Sequence, residues 1–214
     1  TNVMPTDSEA PWAQGFSSDG SSLLVRTSQS IEGTTQLWSD QDLSYVIDVA
    51  SGTATHVSKF ADGSILNMTV TGNAAISADG TKVVFNANVS DNSQNPTTGT
   101  AASYYDANRE GGASESGNHI FVKDLVTGEL EVITDGLGIA SDIHREDLIS
   151  ISDDGNTVVF AATAHQARVW DDSSATYNDI YTLFDEEVSA GGQHVVTYDV
   201  GSGAFSSIGA AWET

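Results

Sequence analysis

Three stretches of the chain carry oxygen-bearing side chains at spacings that could hold a cation. In Asp106-Ala107-Asn108-Arg109-Glu110-Gly111 two carboxylates and an amide alternate before a glycine. Calcium loops use this pattern, with alternate side chains and a backbone carbonyl converging on one ion. Asp106, Asn108 and Glu110 are therefore candidate calcium ligands. The twelfth position is Gly117 rather than Glu, and Arg109 brings a competing positive charge, so an ordinary polar loop is the simpler reading. Asp171-Asp172 with Asp179, and Asp185-Glu186-Glu187, crowd carboxylates that repel unless solvent screens them or a cation bridges them. Asp171, Asp172 and Asp179 are the second candidate calcium set, against the default of a solvated acidic loop.

Acid–base chemistry has one candidate. Asp142-Ile143-His144-Arg145-Glu146-Asp147 is the densest mixed-charge run, and His144 near Glu146 is a titratable pair that general acid–base catalysis could use. A salt-bridged turn is the simpler reading. The five histidines form no His-x-x-x-His pair, and no serine stands in a Gly-x-Ser-x-Gly context, so a zinc site and a hydrolase nucleophile elbow lack their signatures. Cysteine is absent, which removes disulfides, thiolate nucleophiles and Cys-ligated metals. Tyr104, Tyr105, Trp170 and Tyr177 stand in polar stretches, where they could contact a ligand or pack onto the body of the domain.

Charge narrows the partners. The 214 residues carry 30 Asp plus Glu against 7 Lys plus Arg, a formal charge of −23. Affinity for nucleic acid or anionic membranes comes from cations that replace counterions at phosphates, so neither partner fits this chain. No apolar run approaches the roughly 18 residues a spanning helix needs, and membrane insertion is not expected. Self-repulsion on this scale needs an offset. Salt at about 1 M shortens the Debye length to about 3 Å; alternatively, a calcium site with a dissociation constant near 10⁻⁴ M adds about 2.7 kcal/mol in roughly 10 mM calcium. The start Thr1-Asn2-Val3-Met4-Pro5 has no initiator Met, as expected of a processed product or a piece of a longer protein.

The elements that must position these residues repeat. Ile76-Ser77-Ala78-Asp79-Gly80-Thr81-Lys82-Val83-Val84-Phe85 reappears as Ile151-Ser152-Asp153-Asp154-Gly155-Asn156-Thr157-Val158-Val159-Phe160, with a weaker copy from Phe16 to Val25. Each reads as strand, Asp-Gly turn, strand. An Asp-x-x-Ser/Thr-Gly turn follows each at Asp48, Asp124 and Asp199, with exit strands expected over Thr53–Ser58, Glu129–Thr134 and Ala204–Ile208. Two hairpins per unit make a four-stranded antiparallel sheet, in units of about 12–70, 71–145 and 146–214 within one domain. Long polar connections over 86–118 and 161–193 hold most of the candidate site residues, and Asp179–Phe184 could form a short extra strand.

Four-stranded units without helices predict an all-β fold of propeller-type blades. Three blades do not close a ring, since rings take roughly four to eight. The chain is then half of a six-bladed ring completed by a second copy, or a fragment, or its units stack in some other way; assembly or truncation is favoured, because the outer faces of an isolated half would be large apolar patches.

Ser-Ala-Asp-Gly followed by Val-Val-Phe, then Ile-Phe-Val-Lys-Asp-Leu-Val-Thr-Gly at 120–128, resembles the TolB-like bacterial propeller repeats, also called PD40 or WD40-like repeats. The resemblance spans nearly the whole chain and implies a propeller with a protein-binding or scaffold role, at times attached to hydrolases, lyases or calcium-binding surface proteins. It implies no catalytic set. Many such repeats carry an Asp-x-Asn-Gly-like stretch before the Ile-Phe-Val strand, where this chain has Ser114-Glu115-Ser116-Gly117-Asn118-His119. The expected function is a non-catalytic extracellular binding or scaffold module of a bacterial secreted, surface or periplasmic protein, recognising a protein or glycan. The alternative is an accessory or catalytic domain of a polysaccharide-degrading hydrolase or lyase.

Overall fold

The computed structural model describes residues 12–28, 31, 43–65, 68–89, 118–133, 149–163, 168–171, 176–179 and 193–211. Every regular element among them is a strand. The first sheet runs in chain order through β1 (Trp12–Phe16), β2 (Ser22–Thr27), β3 (Leu43–Asp48) and β4 (Ala54–His56). The second comprises β5 (Met68–Ile76), β6 (Lys82–Val89), β7 (Asn118–Asp124) and β8 (Leu130–Val132). β9 (Ile149–Ile151), β10 (Thr157–Thr163), β13 (Gln193–Asp199) and β14 (Ala204–Ala211) make the third, and the hairpin of β11 (Arg168–Asp171) and β12 (Thr176–Asp179) is inserted between β10 and β13. All pairings are antiparallel. The chain is thus an all-β fold of three propeller-type blades.

The repeated turns explain why the strands reverse where they do. In the second unit the Gly80 N–H donates to the Ser77 carbonyl at 2.9 Å, and Gly80 sits at φ 72°. That left-handed angle suits glycine, which has no Cβ to clash. The Ser77 hydroxyl donates to Asp79 Oδ1 at 2.6 Å and accepts the Lys82 N–H at 3.0 Å, while Asp79 accepts the Thr81 N–H. Ser17 with Asp19 and Ser152 with Asp154 repeat the arrangement. At the second turns, Asp48, Asp124 and Asp199 accept backbone N–H groups from within their own turns. The two turns of each unit are also tied together: the N–H groups of Val49, Leu125 and Val200 donate to the carbonyls of Ser21, Thr81 and Asn156.

Strand alternation then divides the apolar residues between two inter-sheet cores. Leu24, Val46, Val57 and Phe60 meet Met68, Val70, Val83, Phe85, Phe121 and Leu130 between the first and second sheets. Phe85 and Phe121 stack there with ring centroids 5.3 Å apart. Val84, Ile120 and Val122 face the other way and meet Ile151, Val158, Phe160, Val196 and Tyr198 of the third sheet. The second sheet is therefore apolar on both faces, which accounts for its uninterrupted runs Val83-Val84-Phe85 and Ile120-Phe121-Val122.

Some expectations are corrected. β4 and β8 are shorter than the exit strands read from the sequence, and β14 is longer. At β4 the cause is visible, since the Ser58 N–H donates to His56 Nδ1 and the chain turns out of the ladder. β5 begins at Met68, just before the unit boundary at 71. Of the strand expected over Asp179–Phe184 only Asp179 is described, as the last residue of β12, and positions 180–184 lie outside the described residues. The outward face of the first sheet is not an open apolar patch: Val25, Tyr45 and Ile47 are buried there, with Ile31 of the β2–β3 connection packed on them.

Candidate functional site

The first strands of the three sheets lie side by side, and a cleft of about 650 Å³ opens along them. Its walls are Trp12, Ala13 and Gln14 of β1, Arg26 of β2, Asn73, Ala74 and Ala75 of β5, and Ile149 of β9. Two irregularities shape it. The β1–β2 register slips between Ala13 and Gly15, and the β5–β6 register slips between Val70 and Ala74, which takes Asn73 out of the ladder. Such bulges re-aim side chains. Gly15 of β1 lies against Ile76 of β5, where a Cβ would make only an ordinary contact, 3.5 Å from Ile76 Cγ2.

Trp12 is directly opposite Arg26 in the β1–β2 register and keeps 53% of its surface exposed. An exposed indole beside a guanidinium, with the amides of Gln14 and Asn73 in the same cleft, can stack on a flat group and donate hydrogen bonds to oxygens. It is equipment for recognition. Among the described residues no group of three or more His, Asp or Glu side chains could hold a metal ion.

The turn carboxylates and the buried His56, Lys123 and Tyr198 serve the fold. Backbone N–H donation from Ser21, with the Ser17 hydroxyl, lowers Asp19 to about 2. The turn carboxylates Asp48, Asp79, Asp124, Asp154 and Asp199 are likewise lowered, chiefly by hydrogen bonds from their own turns. His56 is buried and pushed down to about 4, first by desolvation and then by Lys59 and Lys123. It is neutral, and its Nδ1 lies 2.7 Å from the Ser58 hydroxyl. Lys123 is buried and pushed down to about 8 by desolvation. Tyr198 donates to Glu131 across the second and third sheets, and burial with that bond raises its phenol.

Of the residues singled out in the sequence, Tyr104, Tyr105, Asp106, Asn108, Glu110, Asp172, His144 and Glu146 lie outside the described residues. The hairpin holds the others. Trp170 pairs with Tyr177, Arg168 with Asp179 and Asp171 with Thr176 across the β11–β12 ladder. The sequence reading missed Trp12, Gln14, Arg26 and Asn73. Their signal was weak, since the cleft depends on two bulges and on neighbouring sheets.

No protein-family model matches the chain, and no curated protein matches it. Among solved structures it is similar to a putative TolB from Agrobacterium tumefaciens, at 16% identity over 97% of this chain and 52% of that one, with a TM-score of 0.48. It is similar to TolB from Acinetobacter baumannii at 13% identity, over 95% of this chain and 44% of that one, with a TM-score of 0.40. It is also similar to dipeptidyl peptidase 4 from Porphyromonas gingivalis, at 14% identity over 93% of this chain and 25% of that one, with a TM-score of 0.43. The chain spans about half the length of the two TolB structures.

Proposed function

We propose that the chain is a non-catalytic recognition module of a bacterial secreted or surface protein, binding a protein or glycan ligand at the cleft along its inner strands. The observation that carries this reading is the convergence of Trp12, Gln14, Arg26 and Asn73 on one cleft walled by all three sheets. The placement outside the cytoplasm is supported by a net charge of −23, which suits saline surroundings, and by the absence of cysteine. Calcium belongs to the same proposal, as an ion that orders the acidic connections through Asp106, Asn108 and Glu110 and through the aspartates around the β11–β12 hairpin.

Calorimetry against a panel of neutral glycans, uronate glycans and extended peptides tests the reading, with wild type, Trp12→Ala and Asn73→Ala compared. A ligand of this cleft loses about tenfold or more in affinity on Trp12→Ala, corresponding to about 1.4 kcal/mol of lost stacking. Undiminished binding by both variants, or turnover of a panel member by the wild type, refutes it.

A further inference from the structure

The Asp-Gly turns of the three sheets are joined to one another by their backbones. The Ser18 N–H donates to the Ala78 carbonyl at 2.7 Å, and the Ala78 N–H donates to the Asp153 carbonyl at 3.1 Å. Ser18, Ala78 and Asp153 hold the same place in successive turns, so one N–H of each turn is given to the carbonyl of the next. A second contact accompanies each step. A Cβ on Gly80 would lie 3.1 Å from the Ser22 hydroxyl of the preceding sheet, and one on Gly155 would lie 3.0 Å from Lys82 Cδ. Each glycine is thus a seat for the residue that opens the second strand of the sheet before it.

Among the described residues the first and third turns lack a partner on their outer sides, and these two sides complement each other. Asp153 is exposed, and its N–H has no acceptor among the described residues. Gly20, the counterpart of Gly80 and Gly155, has nothing within 4 Å of where a Cβ would stand. Thr157 holds the position of Ser22 and Lys82. One end therefore offers a donor and a knob, and the other a carbonyl and a vacant seat.

We propose that two copies of the chain associate end to end. The Asp153 N–H of each donates to the Ser18 carbonyl of the other, and Thr157 lies against Gly20 of the other copy. Two such contacts about a twofold axis make a closed set of six sheets, the symmetric closure that most homo-oligomers adopt. Val25 and Tyr45, which pair with each other away from the turn, stay covered by Ile31 of their own chain, so the second copy meets the turn end and this cover. The contact continues the ladder already present between the sheets and does not depend on any ligand of the cleft. With a charge of −23 on each copy, screening by salt favours it.

The test is light scattering on size-exclusion fractions of the full chain in 0.15 M and 1 M NaCl, for wild type and Asp153→Pro. Proline suits this turn position, where it keeps the turn and removes the N–H; the carboxylate it also removes would, by lowering the negative charge, favour association rather than oppose it. Wild type in 1 M salt is expected at about 45 kDa, twice its 22.4 kDa, and Asp153→Pro at half that mass with an unchanged far-ultraviolet spectrum. A second readout on the wild type avoids any folding defect of the variant: the Asp153 amide should exchange slowly when concentrated in 1 M salt and fast on dilution. A wild type that stays at 22.4 kDa in 1 M salt, an Asp153→Pro dimer, open-ended oligomers, or an Asp153 amide that exchanges fast at every concentration overturns the proposal.

Discussion

The ammonium group of Lys123, in the second sheet, donates to the backbone carbonyl of Lys59, which leads out of the first. A second bond, of 2.8 Å, goes to the Gly128 carbonyl, and the Phe60 ring centroid lies 6.0 Å from the nitrogen. Only 1% of Lys123 is exposed, so this cation bolts two sheets together from the inside.

Removing it orphans two acceptors. Lys123→Met is expected to destabilise the fold by about 1–3 kcal/mol, the cost of leaving buried polar groups unsatisfied, as read from urea unfolding at pH 7. The pH dependence follows from the lowered pKa. Folded Lys123 releases its proton at about 8, the unfolded side chain near 10.5. The unfolded state therefore holds more protons between these values, and stability rises with pH there. Tyr198, raised by burial and by Glu131, opposes this above about pH 10, so the rise is clearest between pH 8 and 10. It should vanish in Lys123→Met.

His56 gives the acid-side counterpart. Its folded pKa of about 4 lies below the ordinary 6.5, so protonation favours the unfolded chain. Stability should fall as pH drops from 6.5 towards 4, above the range in which the turn aspartates protonate. His56→Gln should flatten this part of the curve, and an equal slope in the variant would place the titration elsewhere.

The turn serines are as structural as any core residue. Ser77 is fully buried, and its hydroxyl both accepts from the Lys82 N–H and donates to Asp79. Ser77→Ala should cost about 1–3 kcal/mol, as expected for an orphaned buried N–H. Ser77→Thr, which keeps the hydroxyl, should recover part of that loss. Chemical denaturation of the pair separates the hydrogen bond from the volume.

Two glycines with similar backbones should respond differently to alanine. Gly63 has φ 85° with nothing within 4 Å, whereas at Gly128, φ 78°, a Cβ would lie 2.8 Å from the Ala61 Cβ. Gly63→Ala should cost only the left-handed penalty of about 1–2 kcal/mol. Gly128→Ala should cost more, because the new Cβ would also press on the Cβ and backbone of Ala61, in the turn that joins the first sheet to the second. Equal midpoints would mean that the two sheets are less closely apposed there.

How much of this was legible in the sequence depended on the range of the interaction. Asp19-Gly20, Asp79-Gly80 and Asp154-Gly155 mark their hairpins because a local hydroxyl, a carboxylate and a left-handed glycine suffice to reverse the chain. Asp62-Gly63 is the same kind of local signal, after β4 rather than within either repeated hairpin; it closes the turn in which the Phe60 N–H bonds the Ser64 carbonyl at 2.8 Å. Lys123 reads as a surface residue ending an apolar strand, since nothing nearby in sequence shows that its acceptor at Lys59 comes from another sheet. Trp12 and Arg26 meet only through strand register, and Asn73 joins them only because β5 bulges. Interactions of that range cannot be read from composition or spacing.

The central claim is that the three repeats stack turn upon turn, which is what sets the inner strands side by side and forms the cleft. Amide hydrogen exchange on the wild-type chain tests it most directly, because Ser18 is exposed and its N–H has no reason to be protected unless the Ala78 carbonyl stands over it. Exchange at Ser18 and Ala78 should be slower than in an unstructured chain by on the order of a hundredfold or more. Exchange at the unprotected rate at both positions, with the strand amides still protected, would mean that the sheets fold but do not stack.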